Sequence, residues 1–179
     1  VTFAPCKPAD REYLASMMES VEDIPSSVIL DGLPWNWDSY GEYLDSLEKL
    51  EPSINVVGMV GHCAIRTYVM GERGVDEEPN KDEIAQMAEL AGKSVAEGAI
   101  GFSSSRLEAH TMPDGRCIPG TFAKSEEMTA IAKAVGENNG LVQNVLEYSR
   151  LDTEMELLRE QALAAQTRVI FTAPHIPGA

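Results

Sequence analysis

From residue 54 onward, short apolar segments alternate with amphipathic helical segments. The apolar segments have the length and composition of strands covered on both faces; they are 54–60, 99–102, 141–146 and 168–172. The helical segments place apolar residues three or four apart on one face; they are 80–98 (caps included), 126–138 and 152–166. Strands that alternate with helices predict a parallel sheet whose crossovers are right-handed.

Two α/β architectures fit this alternation. A complete (β/α)₈ barrel needs about 250 residues, so four strands in a chain of 179 residues correspond to half a barrel. A doubly wound sheet with helices on both faces would instead be complete in itself. Periodicity alone does not separate the two.

Residues 1–53 lack this alternation. They contain two amphipathic segments, which predict helices over 10–21 and 39–50, and a turn is predicted over 31–34. Trp35 and Trp37 are expected to be packing anchors. We therefore divide the chain into a loop and helical insertion, 1–53, and a βαβαβαβ unit, 54–179.

Polar residues follow three of the predicted strands. Parallel α/β proteins place their sites at the carboxyl ends of strands, which meet at one edge of the sheet. The first loop contains His62 and Arg66, the second contains Ser103 to Arg106, and the third contains His175. We expect these side chains to lie near one another.

The same loops carry a family resemblance. The motifs, in chain order, are Gly-His-x-x-x-Arg at 61–66, Gly-Ala-x-Gly-Phe-Ser at 98–103 and Pro-Gly-Thr-Phe-Ala at 119–123. Together with the opening Val-Thr-Phe-Ala-Pro, they resemble the N-acyl-D-amino-acid deacylase branch of the amidohydrolases. The resemblance implies a partial (β/α)₈ TIM barrel, about strands three to six, in which 1–53 follows barrel strand two. It also implies that the chain is an internal fragment of a longer enzyme.

The resemblance implies a zinc-dependent hydrolase that cleaves the C–N bond of N-acyl-D-amino acids or related amides. In such enzymes a metal-bound water attacks the amide carbon. The family's ligands are a His-x-His, a cysteine, and histidines that end strands five and six. This chain has no His-x-His, its segment 141–148 contains no histidine, and His175 is the candidate ligand near the sixth strand. We expect zinc in the parent enzyme, and neither metal nor activity in the isolated chain.

Five residues are predicted to bind substrate: His62, Arg66, Ser103, Ser104 and Arg106. The arginines suit a substrate carboxylate, but they could equally pair with acidic residues of the chain. His62 could contact substrate, or be a buried histidine bonded to its surroundings, and the serines could line a pocket or turn the chain. His110, in the long loop after residue 106, is expected to face solvent.

Composition constrains the partners. The formal net charge of −15 disfavours nucleic acid and anionic membranes, so a small-molecule substrate is expected for the parent enzyme. Three widely spaced cysteines, Cys6, Cys63 and Cys117, suggest a reducing cytoplasm. A half-barrel has two open edges, which predicts self-association. The alternative function is a non-catalytic α/β module that binds a small molecule.

Overall fold

The fold is that of a computed structural model, which describes residues 2–172. Within them the helices and strands alternate from β1 onward, as the sequence predicts. The helices are α1 (Arg11–Glu22), α2 (Ser26–Gly32), α3 (Tyr40–Glu48), α4 (His62–Met70), α5 (Lys81–Ala96), α6 (Ser125–Glu137) and α7 (Leu151–Ala165). The strands are β1 (Val60–Gly61), β2 (Gly101–Ser105), β3 (Leu141–Val145) and β4 (Val169–Thr172).

The four strands form one parallel sheet in the order β1-β2-β3-β4. Phe102 pairs with Val60 on one side and with Val142 on the other, and Val142 pairs in turn with Val169. The spatial order of the strands therefore follows the chain, and among residues 2–172 it does not reverse at any point, as it would in a doubly wound sheet. The predicted mixed α/β fold with a four-stranded parallel sheet is confirmed.

The helices that follow the strands form one layer. Helix α5 packs against α6, and α6 packs against α7. Alternate strand residues point to opposite faces of a sheet, and here Phe102, Ser104, Val142 and Asn144 are buried towards the helices. Their neighbours on the opposite face, such as Ser105 and Val145, are only partly buried. The sheet thus has one covered face and one more accessible face.

Helix α5 begins where the sequence predicts. Asn80 Oδ1 accepts hydrogen bonds from the backbone N–H groups of Asp82 and Glu83, and Glu83 Oε2 accepts one from the Asn80 N–H. This capping box satisfies N–H groups that would otherwise lack partners at the helix start. Along the part of the chain that the structure describes, no helix combines the length and apolar character needed to cross a membrane.

An aromatic cluster organises the first fifty residues. Trp35 stacks on Trp37 with ring centroids 5.3 Å apart, and Phe3 meets Trp35 edge-on. The Trp37 indole N–H donates to the carbonyl oxygen of Phe3 at 2.7 Å. The interpretation of the two tryptophans as packing anchors is correct, because both side chains are buried.

Several local predictions are wrong. Helix α2 occupies part of the predicted turn 31–34, since it continues to Gly32. Of the first predicted strand, 54–60, only Val60 is in the sheet, and 54–57 are exposed rather than covered on both faces. The loop predicted from His62 is helix α4, whose residues 62–67 are all buried. In the helical segment 152–166 the spacing of apolar residues predicts that Met155 faces inward, but it is 44% exposed, and Leu157 is buried instead.

Candidate functional site

A small cavity opens at the carboxyl ends of the strands. Its volume is about 120 Å³, and its walls come from the ends of β2 and β3, from the start of α4, from α1 and from the 106–124 connection. Among the residues of the sequence motifs, His62, Ser103 and Ser104 line it. The position agrees with the rule that sites in parallel α/β proteins lie beyond the carboxyl ends of the strands.

His62 is the first residue of α4 and is held from two sides. Its Nε2 lies 2.7 Å from Glu127 Oε1, and its Nδ1 lies 3.0 Å from Ser104 Oγ. Because a carboxylate only accepts hydrogen bonds, Nε2 donates to Glu127. Nδ1 is hydrogen-bonded to the Ser104 hydroxyl. His62 is 1% exposed, so its contacts are those of a histidine that ties α4 to β2 and α6.

Gly120 allows the approach to His62. A Cβ on residue 120 would lie 2.5 Å from His62 Nδ1, and the residue has φ of +97°, which L side chains rarely adopt. Glycine is therefore the residue that fits both the space and the backbone conformation. This gives a physical reason for the glycine of the Pro-Gly-Thr-Phe-Ala motif.

Arg66 shares the carboxylate of Glu127 with His62. Arg66 Nη1 lies 3.0 Å from Glu127 Oε2, and Nη2 donates to the carbonyl oxygen of Glu77 at 2.6 Å. Burial raises the pKa of Glu127, whereas the hydrogen bond from His62 and the charges of His62 and Arg66 lower it. The lowering effects are larger, so the pKa of Glu127 lies below its ordinary value. Arg66 thus neutralises an internal carboxylate.

Arg106 is engaged in the same way. Its Nε donates to Glu154 Oε2 at 2.6 Å, and its Nη1 donates to the carbonyl oxygen of Ala123 at 2.9 Å. Glu154 also accepts from Arg150 Nε at 3.0 Å. Both partners of the Arg106–Glu154 pair are buried. The sequence left two interpretations of the arginines open: binding of a substrate carboxylate, or pairing with acidic residues of the chain. These contacts are of the second kind.

The three consecutive serines do not share one environment. Ser104 is buried beside His62, whereas Ser103 and Ser105 lie on the accessible face of the sheet. Ser103 Oγ donates to Gln143 Oε1 at 2.5 Å. Ser105 Oγ lies 2.7 Å from His110 Nδ1. The structure therefore brings Ser103 and Ser104 to the cavity, but on opposite faces of the sheet.

His110 is the residue that sequence reasoning missed. It was expected to face solvent, but it is partly buried and lines the cavity together with Ser105 and Glu22. The loop from 107 to 118 folds back over the strand ends, where Ile118 N–H donates to the His110 carbonyl oxygen. The sequence feature that could have identified His110 as a cavity residue is its position, because it follows soon after the end of a predicted strand.

The residues that could hold a metal ion do not converge. Within residues 2–172, no three His, Cys, Asp or Glu side chains form a group able to bind one. Asn144 donates to Gln161 Oε1. Glu147 accepts from the backbone N–H groups of Glu108 and Ser149, which lower its pKa to about 2. His175, the predicted metal ligand, lies outside the described residues. The described residues therefore do not fit the metal centre that the resemblance implies.

Comparison with known proteins bears on the resemblance. No family model matches the chain. An uncharacterized protein of Mycobacterium tuberculosis is 28% identical over 146 residues, which cover 76% of this chain and 24% of the relative. A D-aminoacylase of Alcaligenes xylosoxydans is 26% identical over 128 residues, which cover 72% of this chain and 24% of that enzyme.

Solved structures agree with the sequence comparison. A D-aminoacylase described as having a binuclear metal centre superposes with a TM-score of 0.65 at 22% identity, over 95% of this chain and 30% of that one. A D-aminoacylase mutant in complex with CuCl₂ gives a TM-score of 0.66 at 21% identity, over 96% of this chain and 31% of that one. The chain is similar to D-aminoacylases. The predicted resemblance to this amidohydrolase subset is confirmed, and the D-aminoacylase-like chain spans about a quarter of the length of its curated relatives (24%).

Proposed function

We propose that the chain is part of a hydrolase that cleaves the C–N bond of N-acyl-D-amino acids or related amides. The observation that carries this proposal is the D-aminoacylase-like fold, which extends over 95% of the chain. The sequence similarity to a D-aminoacylase over 72% of the chain supports it independently of the fold. Fold alone does not define function, so the proposal also depends on the position of the cavity.

The proposed architecture is a partial (β/α)₈ barrel. Strand order that follows the chain, with one layer of helices on one face, is the arrangement that a barrel requires. In a barrel the other face lines the interior, and here that face carries Ser103, Ser105 and Gln143. We assign 54–179 to the half-barrel and 1–53 to an insertion that precedes it.

The roles of the predicted substrate-binding residues differ under this proposal. Ser103 lies on the accessible face beside the cavity, so it is the one we assign to substrate contact. His62, Ser104, Arg66 and Arg106 are buried and bonded to one another or to glutamates. We assign these four to positioning, because their hydrogen-bonding groups hold α4, β2, α6 and α7 in place.

The isolated chain is proposed to be inactive and free of metal. A metal would supply an activated water, but the described residues provide no group to hold it, so no catalytic step is assigned to them. Zinc would be held by other parts of the parent enzyme, with His175 a candidate ligand in the undescribed part of this chain.

Release of free D-amino acid tests the function. The product of the complete reading frame is incubated with N-acetyl-D-amino acids and, as a stereochemical control, with their L-enantiomers. We expect free D-amino acid from the complete product and none from the 179-residue chain. A complete product that binds these compounds without cleaving them would support the alternative, a non-catalytic binding module.

We also propose that the isolated chain self-associates through its sheet edges. Within residues 2–172, β1 and β4 each pair on one side only, and Ile170 and Phe171 in β4 are 45% and 49% exposed. Unpaired strand edges with apolar side chains favour pairing with another chain. Light scattering after size exclusion should give a mass above one chain, reduced by Phe171→Lys but not by the control Val28→Lys in α2. A monomeric wild-type chain would refute the proposal.

A further inference from the structure

A hydrogen-bonded Ser105–His110 pair lies on the cavity wall and is separate from the buried His62 network. Ser105 Oγ and His110 Nδ1 are 2.7 Å apart. Both residues are partly buried, and both line the cavity at the strand ends. Neither was assigned a role from the sequence motifs, and neither contacts Glu127 or Glu154. The pair is therefore available for a role of its own.

The hydrogen bonds around Ser105 indicate which ring nitrogen of His110 carries the proton. Ser105 Oγ accepts a long hydrogen bond from the Leu107 N–H at 3.4 Å, which leaves its hydroxyl hydrogen for His110 Nδ1. Burial lowers the pKa of His110 below its ordinary value of 6.5, which favours the neutral ring at pH 7. A neutral imidazole that accepts at Nδ1 has its N–H at Nε2. Among residues 2–172 no hydrogen bond occupies that group, which can therefore donate to a ligand.

The surroundings of the pair disfavour an anion. Glu22 lies on the wall of the same cavity, and its charge acts on His110. Cationic side chains do not line the cavity among the described residues, since Arg66 and Arg106 are paired with Glu127 and Glu154. The other titratable groups facing it are His62, bonded to Glu127, and Cys63. Among these lining residues a carboxylate would meet no cationic side chain, whereas a neutral carbonyl would not need one.

The size and remaining walls of the cavity suit a short acyl group. Val145, Ile118 and Pro119 give it an apolar side. A cavity needs about 10–15 Å³ to admit one water, so a cavity of 120 Å³ has room for a group of several heavy atoms. An acetamide unit has four heavy atoms: a methyl, a carbonyl carbon, an oxygen and a nitrogen.

We propose that this cavity binds the short, neutral acyl-amide group of its ligand, with His110 Nε2–H donating to the carbonyl oxygen and Ser105 holding the ring. The methyl group would lie against Val145 and Ile118. This assignment rests on the proposed function, because that proposal names an N-acyl compound as the ligand. Binding of the acyl-amide group requires no hydrolysis, so the two proposals can fail separately.

The test uses the isotope-labelled 179-residue chain, titrated with N-methylacetamide and, at equal ionic strength, with sodium acetate. NMR records the His110 ring and the Val145 methyl groups. We expect saturable shifts of both with N-methylacetamide and at least tenfold weaker binding of acetate. Equal binding of acetate would overturn the choice of a neutral ligand. No saturable shift with N-methylacetamide would overturn the site itself.

Variants separate recognition by His110 from general packing. We expect His110→Phe to weaken N-methylacetamide binding by about fivefold, the effect of one neutral hydrogen bond, when the Val145 methyl groups are followed. His110→Gln, which keeps an N–H donor, should retain part of the affinity. Ser105→Ala removes the hydroxyl that holds the ring and should also weaken binding, and the exposed Ser27→Ala is its matched control. Backbone NMR spectra check that each variant is folded. Unchanged binding in folded His110→Phe would overturn the role of His110.

The same measurements distinguish failure of this inference from failure of the proposed hydrolase. If the complete gene product releases no D-amino acid while the chain binds N-methylacetamide at His110, the acyl-amide site stands and the hydrolase is refuted. If the complete product is active while the chain shows no saturable binding, the hydrolase stands and this site is refuted.

Discussion

Replacing Glu127 by Gln removes a buried negative charge that two donors share. Glu127 is 1% exposed, and its oxygens accept from His62 at 2.7 Å and from Arg66 at 3.0 Å. The amide keeps the shape but offers one accepting oxygen and an NH₂ group that faces a donor. Arg66, which is 5% exposed, is left without its counter-charge. Breaking a buried ion pair from one side costs about 3–5 kcal/mol, and we expect Glu127→Gln to lower the free energy of unfolding by about that amount.

The pKa of Glu127 gives the prediction a pH dependence. Because the pKa is lower in the folded chain than its ordinary value of 4.5, the unfolded chain binds the proton more tightly. The stabilisation is therefore fully present above about pH 4.5 and is lost as the pH falls through the lower folded pKa. Glu127→Gln lacks this contribution, so the difference between the two proteins should shrink below pH 4.5.

Urea denaturation followed by circular dichroism measures both effects. Glu126→Gln is the matched control, since Glu126 is the exposed neighbour on the same helix turn, and it should remain close to wild type. Adding Arg66→Met to Glu127→Gln removes the uncompensated charge and should cost less than the sum of the two single changes. A Glu127→Gln protein within about 0.5 kcal/mol of wild type, the range of ordinary surface substitutions, would refute the reasoning.

Three further outcomes are expected. Gly120→Ala should lower the free energy of unfolding by about 2–4 kcal/mol, because the new Cβ collides with His62 and the positive φ is unfavourable for alanine. Gly115→Ala is the control, since Gly115 has φ of +87° and nothing within 4 Å of its Cβ, so only the cost of the positive φ applies. Equal losses in the two variants would contradict the collision with His62. Asn80→Ala should cost about 1 kcal/mol by removing the cap of α5, as measured by urea denaturation; an unchanged midpoint would mean that the cap is replaced. Elemental analysis of the purified chain should find no stoichiometric zinc, and tightly bound zinc would contradict the expected metal-free state.

Local patterns predicted the parts of the fold that depend on neighbours in sequence. The capping box at Asn80 involves residues three apart, and the burial of Phe102 and Val142 follows from their place in short apolar runs. Strand β1 was predicted too long because an apolar run at 54–60 does not reveal whether other residues cover it, and here Ile54, Val56 and Val57 are exposed. Met155 was assigned inward from spacing alone, although the exposed side of α7 depends on which helices pack against it.

The site depended on contacts between distant parts of the chain, which no local pattern encodes. His62 and Glu127 are 65 residues apart, and Glu127 follows Glu126 in the first turn of a helix, where acidic residues are common for reasons of the helix dipole. Ser103, Ser104 and Ser105 were treated as one loop because the end of β2 was placed too early, at residue 102. With the strand continued to Ser105, alternation alone would have separated Ser104 from its two neighbours.

The carboxylate of Glu127 links the evolution of three positions. Loss of the acid leaves a buried guanidinium at 66 and a donor at 62, whereas loss of Arg66 or His62 leaves the acid short of a partner. Under selection for stability, sequences that have lost only one of these three residues should therefore be rare. The three residues should instead be replaced together. Among homologous sequences we expect positions 62, 66 and 127 to co-vary, while position 126, one residue away on the same helix, should change independently of all three.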